Sequence, residues 1–346
     1  MNINELTREL IDIPSVTGDE KEVGAFLKSH LESLGYDVQL QEVAAHRFNV
    51  FATTGAEPRV VFSTHMDTVP PYIRSSEDEE KIYGRGACDA KGIIAAQITA
   101  AERLRREDID EVGLLFTVDE EQGSLGAQVA NRMRPERRPE YLINGEPTDS
   151  KLAVATKGSL RLNLRTRGRA SHSAYPEQGD SAIETLLDVL ESIRQCNWPV
   201  DDVLGRTTCN IGVISGGTRA NFIPDEASAD LQIRLVSEGE SVRKILESAI
   251  AGRAEVDYLS EHDPVHLLSI AAFEQCVVRF TTDIPYLSEW GAPLLLGPGS
   301  ILNAHTEHEF VLKVELAAAV EMYARLGREL LARKPVAHGT LEGAAK

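Results

Sequence analysis

Side chains of the kind that bind metal ions recur in this chain just behind short apolar runs that read as β-strands. His65, with Asp67 beside it, follows Val60-Val61-Phe62, and Asp89 lies in the glycine-rich stretch Gly84–Gly92. Glu120-Glu121 follows Val112–Val118, Glu146 follows Tyr141–Asn144, and His305 comes after Leu294-Leu-Leu-Gly-Pro-Gly. In an open α/β sheet the ends of neighbouring strands converge on one crevice, so residues far apart in sequence can share a site. Two imidazoles and several carboxylates are the donors expected around a zinc-type ion. The pattern therefore predicts an α/β fold whose strand ends meet around metal.

The periodicity divides the chain into two kinds of region. Strand patterns at Tyr36–Val43, Phe48–Ala52, Val60–Ser63, Val112–Val118 and Tyr141–Asn144 alternate with helix patterns after Thr17, at Ala90–Arg106 and around Ser124–Met133. Thr17-Gly-Asp-Glu20 has the form of a capping box, and Gly35 is a natural helix stop. The middle reads strand Gly158–Arg167, helix Ser181–Gln195, strands Thr207–Ile214 and Ala227–Val236, helix Glu240–Ala251, strand Ala254–Leu259. That order, βαββαβ, is a ferredoxin-like unit. A strand pattern at Pro293–Leu296 and a helix at Val314–Arg333 follow, and the tail from Lys334 is expected to fray. The expectation is a metal-binding domain of residues 1–157 and 264–346, interrupted by an inserted module of residues 158–263.

Charge and cysteines narrow the setting. A formal net charge of −18 disfavours nucleic acid and anionic lipid as partners. No stretch approaches the roughly 20 apolar residues of a membrane span, and the polar N-terminus lacks a signal-peptide core. Cys88, Cys196, Cys209 and Cys276 are widely spaced with no CxxC pair, which points to reduced thiols and the cytoplasm.

Each candidate ligand has an ordinary reading beside the chemical one. A strand-end His65 is often just a satisfied core residue; Asp67, two residues on, can accept from the second ring N–H and fix the tautomer. Asp89 could serve as a helix N-cap, and the flanking Arg85 and Lys91 would hold its pKa down. Glu120-Glu121 is the more telling element. Two carboxylates ending an apolar strand repel each other and resist desolvation unless a cation is near. Glu146 carries the same ambiguity, and His308 is an alternative to His305.

Their order matches a pattern. The chain resembles the dizinc amidohydrolases and metallopeptidases that include acetylornithine deacetylase, succinyl-diaminopimelate desuccinylase, aminoacylase and glutamate carboxypeptidase. The matching motifs are Ser63-Thr-His-Met-Asp67, Gly84-Arg-Gly-Ala-Cys-Asp-Ala-Lys-Gly92, Asp119-Glu-Glu-Gln-Gly123, Asn144-Gly-Glu-Pro147 and Gly297-Pro-Gly299 with Ala304-His305. The resemblance implies a central mixed sheet flanked by helices and two Zn²⁺ per chain, with Co²⁺ or Mn²⁺ as substitutes. Asp89 would bridge the ions, His65 and Glu146 completing one site, Glu121 and His305 the other. It further implies Asp67 as the partner of His65, Glu120 as general base and a cis Asp89–Ala90 peptide.

In the inserted module, Gly168-Arg-Ala-Ser-His172 looks like the segment whose histidine reaches a partner subunit's active site to hold an oxyanion. Arg234 and Asn221 match residues that grip a substrate carboxylate. The chain departs from its relatives at Val265–Phe280, which is shorter than the helical stretch they usually carry, so the pocket wall near residues 281–289 is expected to differ.

The resulting expectation is a hydrolase that removes the acyl group of an N-acyl amino acid, acetylornithine deacetylase-like, as a homodimer joined through the inserted domain. Succinyl-diaminopimelate desuccinylase and a di- or carboxypeptidase are the near alternatives. A catalytically silent amino-acid or peptide binder is a rival of another class. A dinucleotide enzyme is disfavoured because no GxGxxG follows a strand.

Overall fold

The computed structural model describes residues 2–333; the tail from Lys334, expected to fray, lies outside them. The chain forms two compact units. One comprises the chain up to Val154, Leu267–Cys276 and the part from Thr282 onward; the other comprises Ala155–His266 and Val277–Thr281.

The first unit is built on a mixed sheet. Among its strands are β1 (Asp37–Ala44), β2 (Arg47–Thr53), β3 (Val60–His65), β4 (Val112–Thr117), β5 (Tyr141–Asn144) and a late strand, Ala292–Leu295. They lie in the order β1-β2-β4-β3-β5-Ala292–Leu295. β3 pairs in parallel with β4 and β5, and the late strand is parallel to β5, whereas β1-β2 and β2-β4 are antiparallel. Every residue of β3, β4 and β5 is buried. Parallel strands covered on both faces read as continuous apolar runs for this reason.

Alternate residues of these strands enter different packing clusters. Val60, Phe62, Leu114, Phe116 and Ile143 join Ile93, Ile94 and Tyr323, while Val61, Leu115 and Leu142 join Phe51 and Trp290. Ile93 and Ile94 belong to the helix Lys91–Arg105, and Tyr323 to the last helix, Lys313–Leu331. The parallel register carries the C-terminal ends of three strands to one edge: His65 is opposite Thr117, and Ser63 is opposite Asn144.

The second unit is the expected βαββαβ module. β6 (Gly158–Arg167), β7 (Thr208–Gly216), β8 (Glu226–Leu235) and β9 (Glu255–His262) form an antiparallel sheet in the order β7-β8-β6-β9. β8 alternates buried and half-buried residues, so one face carries the core. That core joins Leu160, Leu162, Leu231 and Ile233 to Leu186 and Val189 of Ala182–Arg194 and to Val242 and Leu246 of Gly239–Ile250.

Two local expectations are corrected. Thr17-Gly-Asp-Glu20 is not a capping box. The helix there, Lys21–Ser33, has Glu20 as its N-cap with no side-chain cap bond. Thr17 Oγ1 instead donates to Asp67 Oδ2 at 2.8 Å, and Glu20 takes both Nε and Nη2 of Arg47 at 2.6 Å. Charged partners outcompete a local amide for these groups. The capping box that does form is Asn2 with Glu5, at helix Ile3–Asp12. Asp89 is not a helix cap either, since the N-cap of the helix Lys91–Arg105 is Ala90. The Asp89–Ala90 peptide is cis, as is Pro70–Pro71. Among the described residues no helix is long and apolar enough to cross a membrane. Val265–Phe280 holds only the short strands Val265–His266 and Gln275–Val278.

Candidate metal centre

His65 closes β3 with its ring buried. Its Nε2 lies 2.9 Å from Asp89 Oδ1 and 4.0 Å from Glu146 Oε1. On the other side, His305 Nε2 lies 3.4 Å from Asp89 Oδ2 and 3.0 Å from Glu121 Oε1. Asp89 thus stands between two imidazoles and offers one oxygen to each. The ligand atoms of His65, Asp89 and Glu121 all fall within 4.8 Å of one another. Donors about 2.0–2.2 Å from a tetrahedral ion stand roughly 3.3 Å apart, so these separations suit a shared cation.

The electrostatics point the same way. Burial pushes the Glu146 carboxyl well above the usual range, and the neighbouring Asp89 and Glu121 charges add to that. Glu120 is likewise raised by burial and by the charge of Glu146. Glu146 Oε1 is buried without a hydrogen-bond partner. A buried, unpartnered carboxylate oxygen costs free energy that a cation would recover. His305 is pushed up to about 10 by its bonds to Asp89 and Glu121. For Asp89, burial acts upward, but His305 and His65 outweigh it and hold the group below its ordinary value. The donor set therefore fits a metal ion.

The lowering of Asp89 does not come from its sequence neighbours. Arg85 pairs with Glu309 at 2.7 Å, and Lys91 Nζ donates to the Ile13 carbonyl at 2.6 Å. Lys91 is itself pushed down to about 7 by burial.

Asp67 does more than face His65. The ring Nδ1 is 3.0 Å from the Asp67 carbonyl oxygen and 3.5 Å from Oδ1. The carboxylate also accepts the backbone N–H of Glu120 at 3.1 Å and of Glu121 at 3.2 Å, besides the Thr17 hydroxyl. It fastens the loop after β4 to the end of β3. That loop turns sharply at Asp119, whose backbone sits in the left-handed region (φ 72°) and whose Oδ1 accepts from Arg47 at 2.7 Å.

Sequence reasoning missed Thr17, Asp119, Asp283 and Glu309. Asp283 is buried, accepts from Thr117 Oγ1 at 2.8 Å, and is pushed up to about 6 by burial. Its Oδ1 has no partner. The one available signal was an acidic residue directly before the apolar run Ile284-Pro285-Tyr286-Leu287. His308 is exposed, whereas Glu309 next to it is buried.

The second unit places its candidates differently. His172 pairs with Phe222 across a two-residue ladder, and Ser173 N donates to the Asn221 carbonyl at 3.1 Å, so these two candidates are neighbours. Both are exposed, and His172 Nδ1 accepts from the amide of Ala174 at 3.1 Å. Arg234 is half-buried near the end of β8, opposite Ser159 and Thr208; burial lowers its pKa.

This geometry is that of an α/β protein whose strand ends gather metal-type ligands. The model of peptidase family M20/M25/M40 matches residues 61–329, and the chain belongs to that family of metallopeptidases. A peptidase M20 domain-containing protein of Schizosaccharomyces pombe is 39% identical over 337 residues, covering 94% of this chain and 84% of its own. A probable carboxypeptidase of Aspergillus terreus is 35% identical, with 92% and 84% covered. Among solved structures, aminopeptidase PepT of Bacillus cereus superposes with a TM-score of 0.78 at 22% identity, covering 95% of this chain and 98% of that one. The M20 family metallo-carboxypeptidase Sso-CP2 of Sulfolobus solfataricus gives 0.76 at 17%, with 95% and 99% covered. At such identities the superpositions speak for the fold alone.

Proposed function

We propose that the chain is a dinuclear metal-dependent amidohydrolase acting on the amide nitrogen of an amino acid with a free carboxylate. The observation that carries this reading is Asp89 set between His65 and His305, one oxygen facing each ring. Asp89 would bridge two ions, preferably Zn²⁺, with His65 and Glu146 on one and Glu121 and His305 on the other. When bound, the ions polarise the scissile carbonyl and acidify water.

The chain's own residues supply the proton traffic. Glu120, raised by burial, takes a proton from the attacking water and returns it to the leaving amine. Asp67 holds both the ring of His65 and the amides of Glu120 and Glu121 in place. His172, supplied by a second copy of the chain, donates to the developing oxyanion, while Arg234 and Asn221 take the substrate carboxylate. The exposed edge of β7, with Val213 and Ile214 more than half exposed, supports pairing of two copies through this module. All four cysteines are free thiols, in keeping with a reducing cytoplasm.

Two substrates fit this chemistry: an N-acyl amino acid such as N-acetylornithine, and a short peptide cleaved at its C-terminal residue. The Aspergillus terreus relative, a probable carboxypeptidase, favours the second. Assaying zinc-loaded protein against N-acetylornithine, N-succinyl-diaminopimelate and a panel of dipeptides separates the two. Absence of turnover on any acetylated amino acid removes the deacylase; absence of turnover throughout, with two ions bound, leaves the silent binder. A monomer in solution would remove the role given to His172.

A further inference from the structure

Glu309 lies four residues beyond His305 and is buried. Its Oε2 accepts from Arg85 Nη1 at 2.7 Å. Its Oε1 accepts the backbone N–H of Cys88 and of Asp89, each at 3.2 Å. The same Arg85 nitrogen donates to the Thr306 carbonyl at 3.1 Å, and Gly84 N donates to the Glu309 carbonyl at 3.1 Å. The glycine-rich loop before the helix Lys91–Arg105 and the loop carrying His305 are thus sewn together from both sides, although they lie more than 200 residues apart in sequence. The loop can wrap this carboxylate because Gly84 and Gly86 take left-handed backbone angles, φ 138° and 89°.

Asp89 and His305 sit at the two ends of this stitch, with their facing atoms 3.4 Å apart. We propose that Glu309 is a positioning residue for the metal centre, holding Asp89 and His305 at the separation an ion needs. The inference rests on the dinuclear reading above. It assigns to Glu309 no contact with metal or substrate. Removing the carboxylate leaves two buried amides without their acceptor and Arg85 without its ion-pair partner, and the segment bearing Asp89 then relaxes. Partners that orient a ligand typically change metal affinity by about 10–100-fold when lost.

The test is a titration of metal-free, full-length protein with Co²⁺, reading affinity and the visible absorption band. E309A is expected to bind about 10–100-fold more weakly and to alter the band. Arg59→Ala serves as the control. It breaks a different ion pair, with Glu140, at 2.7 Å, and is expected to lower thermal stability while leaving cobalt affinity and spectrum as in the wild type. If E309A does not fold, E309D keeps the charge but is one methylene too short to reach both amides, and is expected to weaken binding about tenfold. Wild-type affinity and spectrum in folded E309A, or in E309D in its place, would overturn the inference. Failure of the wild type to take up cobalt would sink the metal reading and this inference with it. Uptake by the wild type with unaltered variants sinks the inference alone.

Discussion

The strand ends of the first unit and the His172 turn of the second are built by opposite rules. At the strand ends, His65, Asp67, Asp89 and Glu146 are almost wholly buried and tied to one another. At the turn, His172 and Asn221 are exposed and held through backbone and local contacts. Burying several charges together is unfavourable unless something compensates them, so the first arrangement has few explanations besides a cation. An exposed histidine costs nothing and explains nothing by itself. The lesson is that unfavourable burial, more than proximity, makes a cluster informative.

The sharpest way to break this contrast is at Glu120. Glu120→Gln should lower kcat by about 10²–10⁴-fold while the number of ions bound per chain stays the same, read by steady-state kinetics beside elemental analysis. If activity survives, the general base lies elsewhere. His172→Ala addresses the other region: kcat should fall about 10²-fold with metal content unchanged. An unchanged rate would confine the chemistry to the first unit.

Asp283 sharpens the comparison within the buried cluster. Its folded pKa of about 6 lies above the ordinary 3.8, so the folded state holds its proton more tightly than the unfolded chain does. The stability associated with that proton is present at low pH and is lost as pH rises from about 4 through about 6. In chelated protein, Asp283→Asn should therefore raise stability at pH 7 by roughly 2–3 kcal/mol, with little gain at pH 4, measured by urea unfolding at both values. Equal effects at the two pH values would show that the proton is not what matters there. The smallest effect is expected from Thr17→Val, which removes one hydrogen bond to Asp67 and should cost about 1–2 kcal/mol of stability.

What was legible in the sequence follows the same division. The runs Val60–Phe62, Val112–Val118 and Tyr141–Asn144 show themselves because strands covered on both faces must be apolar throughout, and the polar residues that follow them stand out. The βαββαβ module was equally readable from its alternation. Thr17 was misread because a capping box is a local pattern, and its hydroxyl found a carboxylate 50 residues away. Arg85 was assigned to Asp89 by adjacency, yet its partner is Glu309, 224 residues on. Glu309 itself was invisible: one of its oxygens meets backbone amides, which every residue but proline carries, and the other meets an arginine more than 200 residues away, so nothing local announces the bonds.

The fan of donors around Asp67 has a consequence for substitution. One of its oxygens receives the amide of Glu120, and the other receives the amide of Glu121 and the hydroxyl of Thr17. Asparagine has the same outline but only one acceptor oxygen, and in either orientation its NH₂ would be turned toward a hydrogen that is already being offered. Position 67 therefore admits no isosteric neutral replacement. Its negative charge is retained there for the symmetry of its two oxygens as much as for its sign.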